Sequence, residues 1–230
     1  PSHSVPPRAA WPKETSPVIQ VCEIFRSLQG ETRWSGLPTT FVRLAGCNLR
    51  CRWCDTEYAQ QGGEARAPAE LLSELLASPP GDLIAVTGGE PLLQPACLPL
   101  LTALADAGRT VVLETNGSLD ISAVDERVYR VVDVKCPGSG ESHRNRLENL
   151  AALRVTDEVK LVVADRPDFD FAEALIREHD LAHRCGVLLS AVADHLDPAT
   201  LAAWILESEL PVRLQLQLHR HLWPDQDRGV

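Results

Sequence analysis

The chain has 230 residues, 44% of them hydrophobic and 23% charged, with 32 acidic against 22 basic side chains and a formal net charge of −10. A chain of this length buries about 70–75% of the surface its unfolded form exposes, so one domain with its own core is expected. The composition excludes disordered, collagen-like and coiled-coil chains. No window of 18 apolar residues is present, and the acidic balance disfavours a nucleic-acid partner and favours a small molecule.

Residues 1–17 hold five prolines and no apolar period, and a mobile arm is expected there. One folded domain is expected over residues 18–230. Strand-like runs follow at 18–25, 39–44, 83–86, 110–113, 131–134, 159–163, 187–189 and 212–216. Helical patterns at 67–76, 95–107, 145–153, 168–179 and 198–207 lie between several of them. Alternating strands and helices imply βα units around a parallel sheet. Near-continuous Val, Ile and Leu in the strands imply burial on both faces.

Unusual polar residues come directly after the strands. Phe41–Leu44 runs into Ala45-Gly46-Cys47-Asn48, and Leu83–Val86 into Thr87-Gly88-Gly89-Glu90-Pro91. Val111–Leu113 runs into Glu114-Thr115-Asn116-Gly117, and Val131–Val134 into Lys135-Cys136-Pro137-Gly138. In barrel-type α/β folds the carboxyl ends of the strands form the active face. One shared site on a full or partial barrel is therefore expected.

The sharpest signal is Cys47-Asn48-Leu49-Arg50-Cys51-Arg52-Trp53-Cys54, three cysteines in a CxxxCxxC spacing. A structural zinc site is closed by four ligands, usually in two pairs, and no second pair is present. Three cysteines without an obvious fourth suggest an iron–sulfur cluster with one open iron. A zinc knuckle completed by a distant His or Cys is the alternative. Cys22, Cys97 and Cys185 stand apart and read as small core hydrophobes. His143, His179, His183 and His195 read as surface or helix-end residues without ligand spacing. The seven cysteines, with no basic, apolar leader at the start of the chain, fit reduced thiols or metal binding better than disulfides. A cytoplasmic protein is expected. The absence of any Met implies processing or trimming at the start.

CxxxCxxC after one strand and TGGEP after the next resemble the radical S-adenosylmethionine superfamily. The finer pattern resembles its 7-carboxy-7-deazaguanine synthase family, of the queuosine pathway. The matching segments are Phe25–Glu31 (FRSLQGE), Phe41–Thr56 (FVRLAGCNLRCRWCDT), Thr87–Gln94 (TGGEPLLQ), Glu114–Ser118 (ETNGS), Asp133–Gly140 (DVKCPGSG) and Leu216–Trp223. The resemblance implies a partial (β/α)6 TIM-like barrel, with residues 18–230 as the catalytic domain. It implies conversion of 6-carboxy-5,6,7,8-tetrahydropterin to 7-carboxy-7-deazaguanine with loss of ammonia. A 5′-deoxyadenosyl radical made from S-adenosylmethionine at a 4Fe–4S cluster would start that reaction. An activating enzyme for a glycyl-radical partner and a zinc-stabilised binding module are the competing readings.

By the same resemblance, Cys47, Cys51 and Cys54 hold the cluster and Thr56 holds a magnesium ion. Taken alone, Thr56 reads as a turn or cap residue. Trp53, Cys54, Asp55, Gly89, Cys136, Pro137 and Gly138 are expected on S-adenosylmethionine. Many relatives have Ser-Pro-Lys where this chain has Cys136-Pro137-Gly138. Ser190, Ala191 and Val192 are assigned to the same cofactor by position alone. Leu28, Gln29, Gly30, Glu31, Arg43, Thr87, His219 and Val230 are expected around the pterin. A buried Arg needs a partner, so Arg43 is expected either on a substrate carboxylate or paired with Glu90 or Glu114. A flavodoxin-type electron donor and a homodimer complete the expectations, with no nucleic acid and no membrane.

Overall fold

A computed structural model of the chain describes residues 18–230. The proline-rich stretch at 1–17 lies outside the described residues. Among the described residues nine strands form one sheet in the order β3-β1-β2-β4-β5-β6-β7-β8-β9. They are β1 (Ile19–Leu28), β2 (Pro38–Leu44), β3 (Glu64–Arg66), β4 (Leu83–Gly88), β5 (Val111–Thr115), β6 (Tyr129–Asp133), β7 (Glu158–Val163), β8 (Gly186–Ala191) and β9 (Arg213–Leu214). From β2 to β9 every pairing is parallel. β1 runs antiparallel to both β2 and β3. Six full parallel strands with a short β9 make the expected partial barrel.

The helices are α1 (Pro68–Leu76), α2 (Cys97–Asp106), α3 (Glu148–Ala151), α4 (Arg166–Glu178), α5 (Leu181–Arg184), α6 (Pro198–Ser208) and α7 (Leu218–Leu222). The longer starts are written in the sequence. α4 begins after Asp165, whose carboxylate accepts from the Asp168 amide at 3.0 Å, and α6 after Asp197, which accepts from Ala199. Pro68 and Pro198 sit where a missing N–H costs nothing.

The strands are buried as their composition implies. Ile84, Val86, Val111, Leu113 and Val159 are fully enclosed between the barrel interior and the helices, together with Leu71, Leu100 and Phe169. Each such side chain contributes about 1.5–3 kcal/mol on leaving water. Helix α3 is shorter than its apolar pattern, and no helix separates β5 from β6. Cys97 and Cys185 are buried as expected, but Cys22 is only partly buried.

Candidate active site

Because β1 is antiparallel to β2, the segment joining them lies at the amino ends of the parallel strands. It forms a floor there: the Arg33 amide donates to Glu158 at the start of β7 (3.0 Å), and the Arg33 guanidinium donates to the Asp157 carbonyl (3.2 Å). The carboxyl ends of the strands form the roof, and the stretch after β9 forms a third wall. The active face expected from strand ends alone is therefore only part of the site.

These three surfaces enclose a cavity of about 480 Å³. The thiol-bearing residues Cys47, Cys51 and Cys54 line it, as do Trp53, Asp55, Thr56 and Gly89. So do Leu28, Gln29, Gly30, Glu31, Arg43, Thr87, Ala191, Val192, His219 and Val230. Cys136, Pro137 and Gly138 are not on its wall. They lie behind the cysteine loop, where the Arg52 amide donates to the Ser139 carbonyl and the Gly138 amide to Asp168. Ser190 is buried at the edge of the site, and its hydroxyl has no partner among the described residues.

The cysteine loop is fixed by protein contacts. The Gly46 amide donates to Ala59 and the Cys47 amide to Gln60. The Arg50 amide donates to Glu141 at 2.8 Å. From the other side the Glu90 amide donates to the Gly46 carbonyl at 2.7 Å. A Cβ at Gly89 would meet that carbonyl and, at 2.8 Å, the Cβ of Cys47. The second glycine of TGGEP is thus required by a close approach of backbones. Glu90 is fully buried and binds the next loop, accepting from the Thr115 hydroxyl at 2.9 Å and the Asn116 amide at 2.7 Å. Asn116 then donates to Asn48 beside Cys47. Three strand-end segments therefore interlock around the thiols.

Burial pushes the Cys51 thiol up to about 11. A bound iron would reverse that, because a coordinating thiol is deprotonated outright. Among the described residues, no three His, Cys, Asp or Glu side chains converge on a point one metal ion could fill. Thiols spread along a loop that faces a cavity suit a cluster, whose irons are ligated separately. Thr56 occupies the cap position of a short 3₁₀ turn but makes no side-chain capping bond. Its hydroxyl lies 3.9 Å from the Cys54 sulfur.

The inside of the cavity is strongly charged. Lys160 donates to Glu31 at 2.7 Å, and Lys135 to Asp133 at 2.8 Å. Gln29 donates to Glu114 at 3.1 Å and Gln217 to Glu31 at 2.8 Å. Burial opposes the charge on Lys160, but Glu31, Asp133 and Glu114 outweigh it and hold the ammonium above its ordinary value. Confinement likewise opposes ionisation of Asp55, which water still reaches. Lys160, Arg43, Arg220 and Lys135 outweigh it and hold the carboxyl below the usual range.

Arg43 corrects an expectation. It pairs with Glu23 at 2.8 Å, not with Glu90 or Glu114. Lys160, Asp133, Lys135 and Glu114 were not assigned roles from sequence. Lys160 carries the signal that marked Arg43, a cation inside an apolar strand.

Residues 42–136 match the radical SAM superfamily. A 7-carboxy-7-deazaguanine synthase of Koribacter versatilis is 42% identical over 226 residues, covering 92% of this chain and 100% of that protein. The chain belongs to the 7-carboxy-7-deazaguanine synthase family. A family member from Chlorobaculum tepidum is also 42% identical, over 94% of this chain and 99% of its own. Among solved structures, QueE from Escherichia coli has the same fold, with a TM-score of 0.68 at 22% identity. That match covers 88% of this chain and 95% of the other. Family membership brings a 4Fe–4S cluster and S-adenosylmethionine as cofactors. The three thiols on the cavity wall fit the cluster, and Gly89 lines the same cavity beside them.

Proposed function

We propose that the chain converts 6-carboxy-5,6,7,8-tetrahydropterin to 7-carboxy-7-deazaguanine with loss of ammonia. One observation carries this reading: the three thiols and a polar, mixed-charge floor open onto the same cavity. When bound, the cluster and S-adenosylmethionine supply the radical-generating chemistry. The protein's part is to bind, orient and shield. Cys47, Cys51 and Cys54 hold the cluster. Trp53, Asp55, Gly89, Ala191 and Val192 lie around the cofactor, with Ser190 and Cys136–Gly138 behind the wall. Arg43, two terminal nitrogens of which are free of protein partners among the described residues, receives the substrate carboxylate. Gln29, Glu31 and Thr87 read the pterin edge, since amide and carboxylate groups match its amino and ring nitrogens. Leu28, Gly30, His219 and Val230 close the cavity around it.

A magnesium ion at Thr56 belongs to the same reading. The hydroxyl makes no capping bond and meets only the Cys54 sulfur, at 3.9 Å, among the described residues, and substrate oxygens and waters would complete the octahedral shell that the ion prefers. A flavodoxin-type electron donor and a homodimer rest on family resemblance. No helix among the described residues is long and apolar enough to cross a membrane, in line with a cytoplasmic enzyme.

The deciding experiment incubates anaerobically reconstituted protein with carboxytetrahydropterin, S-adenosylmethionine, Mg²⁺ and a reductant. Formation of the carboxydeazaguanine, read by mass, is the expected outcome. A brown, iron- and sulfide-bearing protein that makes none would overturn the substrate assignment. Zinc in place of iron would overturn the whole reading.

A further inference from the structure

The pairing of β1 with β2 is regular from Glu23 opposite Arg43 to Leu28 opposite Pro38, but it slips between Val21 and Glu23. Val21 faces Leu44 and Glu23 faces Arg43, so Cys22 is an extra residue. Glu23 is thus the first residue of the regular ladder, and the slip shifts Val21 and the residues before it to the other register. Through that ladder Glu23 shares a face with Phe25, Phe41 and Arg43, while Cys22, at the slip, is only partly buried.

The Glu23 carboxylate serves two groups. One Glu23 oxygen accepts from the Arg43 Nε at 2.8 Å and from the Tyr58 hydroxyl at 2.8 Å. The Arg43 guanidinium lies 5.8 Å from the ring centres of both Phe25 and Tyr58. Phe25 stacks on Phe41 at 4.8 Å, and Arg228 covers the Tyr58 ring at 4.1 Å. Arg43 is therefore held at its Nε, between two rings. A carboxylate serving only to neutralise an arginine would favour the two-pronged fork. In this chain the terminal nitrogens of that fork are left without a protein partner among the described residues.

We propose that Glu23 and Tyr58 are positioning residues that hold Arg43 by its Nε so that its terminal nitrogens receive the substrate's carboxylate. The inference rests on the reading that the substrate is a carboxylated bicycle. It adds the device that confers the preference for the carboxylate. Glu23 is itself an anion, so its charge works against carboxylate binding, and only its geometry can help.

Charge and geometry separate cleanly. Glu23→Gln keeps an acceptor oxygen and loses the charge, whereas Glu23→Ala loses both. The measurement is the dissociation constant of reconstituted protein for 7-carboxy-7-deazaguanine and for 7-deazaguanine, which lacks the carboxylate. In Glu23→Ala, affinity for the carboxylated ligand should fall about tenfold while affinity for the other is unchanged. Glu23→Gln should stay within about threefold of wild type for both. Removing one partner of a mostly buried pair can unfold a protein, so Tyr58→Phe is the second variant. It should weaken only the carboxylated ligand, by about threefold. If the wild-type preference survives in Glu23→Ala, or in Tyr58→Phe should the former not fold, the inference is overturned alone. Equal losses for both ligands overturn it as well. A wild type without any preference overturns the substrate reading, and the inference with it.

Discussion

The His219 ring lies against the α-carbon of Gly30, so closely that a methyl group there would overlap the ring nitrogen. The Leu218 amide donates to the Gly30 carbonyl at 2.9 Å, and Gln217 donates to Glu31. Residues after β9 are thereby tied to the floor. They span the open side of the barrel between β9 and β1 and carry Trp223, Asp227 and Val230 to the cavity wall.

Loss of that tie should act on substrate and not on the cluster. Deletion of residues 219–230 should raise KM at least tenfold or abolish turnover. Gly30→Ala should raise KM about tenfold, equivalent to about 1.4 kcal/mol of binding, by displacing His219. Iron content and basal cleavage of S-adenosylmethionine should match wild type in both. Equal kcat/KM in the truncated and full chains would show that the segment does not form part of the site.

Replacement of Cys47, Cys51 or Cys54 by Ala should each abolish the cluster and all activity. Cys97→Ala and Cys185→Ala, in buried positions remote from the loop, should keep both, with some loss of stability. Iron and sulfide analysis after reconstitution checks this, and full occupancy in Cys51→Ala would refute the ligand set.

Thr56→Ala should leave the cluster spectrum unchanged and remove most of the rate response to added Mg²⁺. The measurement is a Mg²⁺ titration of turnover in both proteins. Superimposable curves would remove Thr56 from the metal site.

Docking of the final segment should weaken in acid. Burial lowers the His219 pKa from its ordinary value near 6.5, with Arg220 and Lys160 adding to the effect, against Glu31 and Asp55. A depressed value means that the free segment takes up a proton before the docked one does. Docking is therefore fully favoured above pH 6.5 and is lost as pH falls through the lower, docked value. Limited proteolysis should cut the segment faster at pH 5.5 than at pH 7.5, and His219→Gln should flatten the difference. An unchanged ratio in the variant would assign the effect to another group.

What the sequence disclosed divides along a physical line. CxxxCxxC, TGGEP and the SLQGE segment are legible because each is a short run of unusual residues, and residues of each lie on the cavity. Buried parallel strands announce themselves by continuous apolar runs. The partner of Arg43 was hidden because the register between β1 and β2 decides which side chains meet across the strands, and neither strand's own pattern states it. The three-residue β3 and the four-residue α5 are too short to show a period. The β5–β6 connection carries Ile121 and Val124 into the core from turns. Its apolar residues therefore have no helical spacing to read.

The anchoring of the cysteine loop sets an order for maturation. Amides of Gly46, Cys47, Arg50 and Arg52 are each held by another part of the chain. In a zinc finger the metal and the fold arrive together. Here the barrel can be complete first, with the loop already shaped like a socket. Cluster assembly is then a late insertion into a finished protein, and a chelated sample should keep a cooperative melting transition and take iron and sulfide back without refolding.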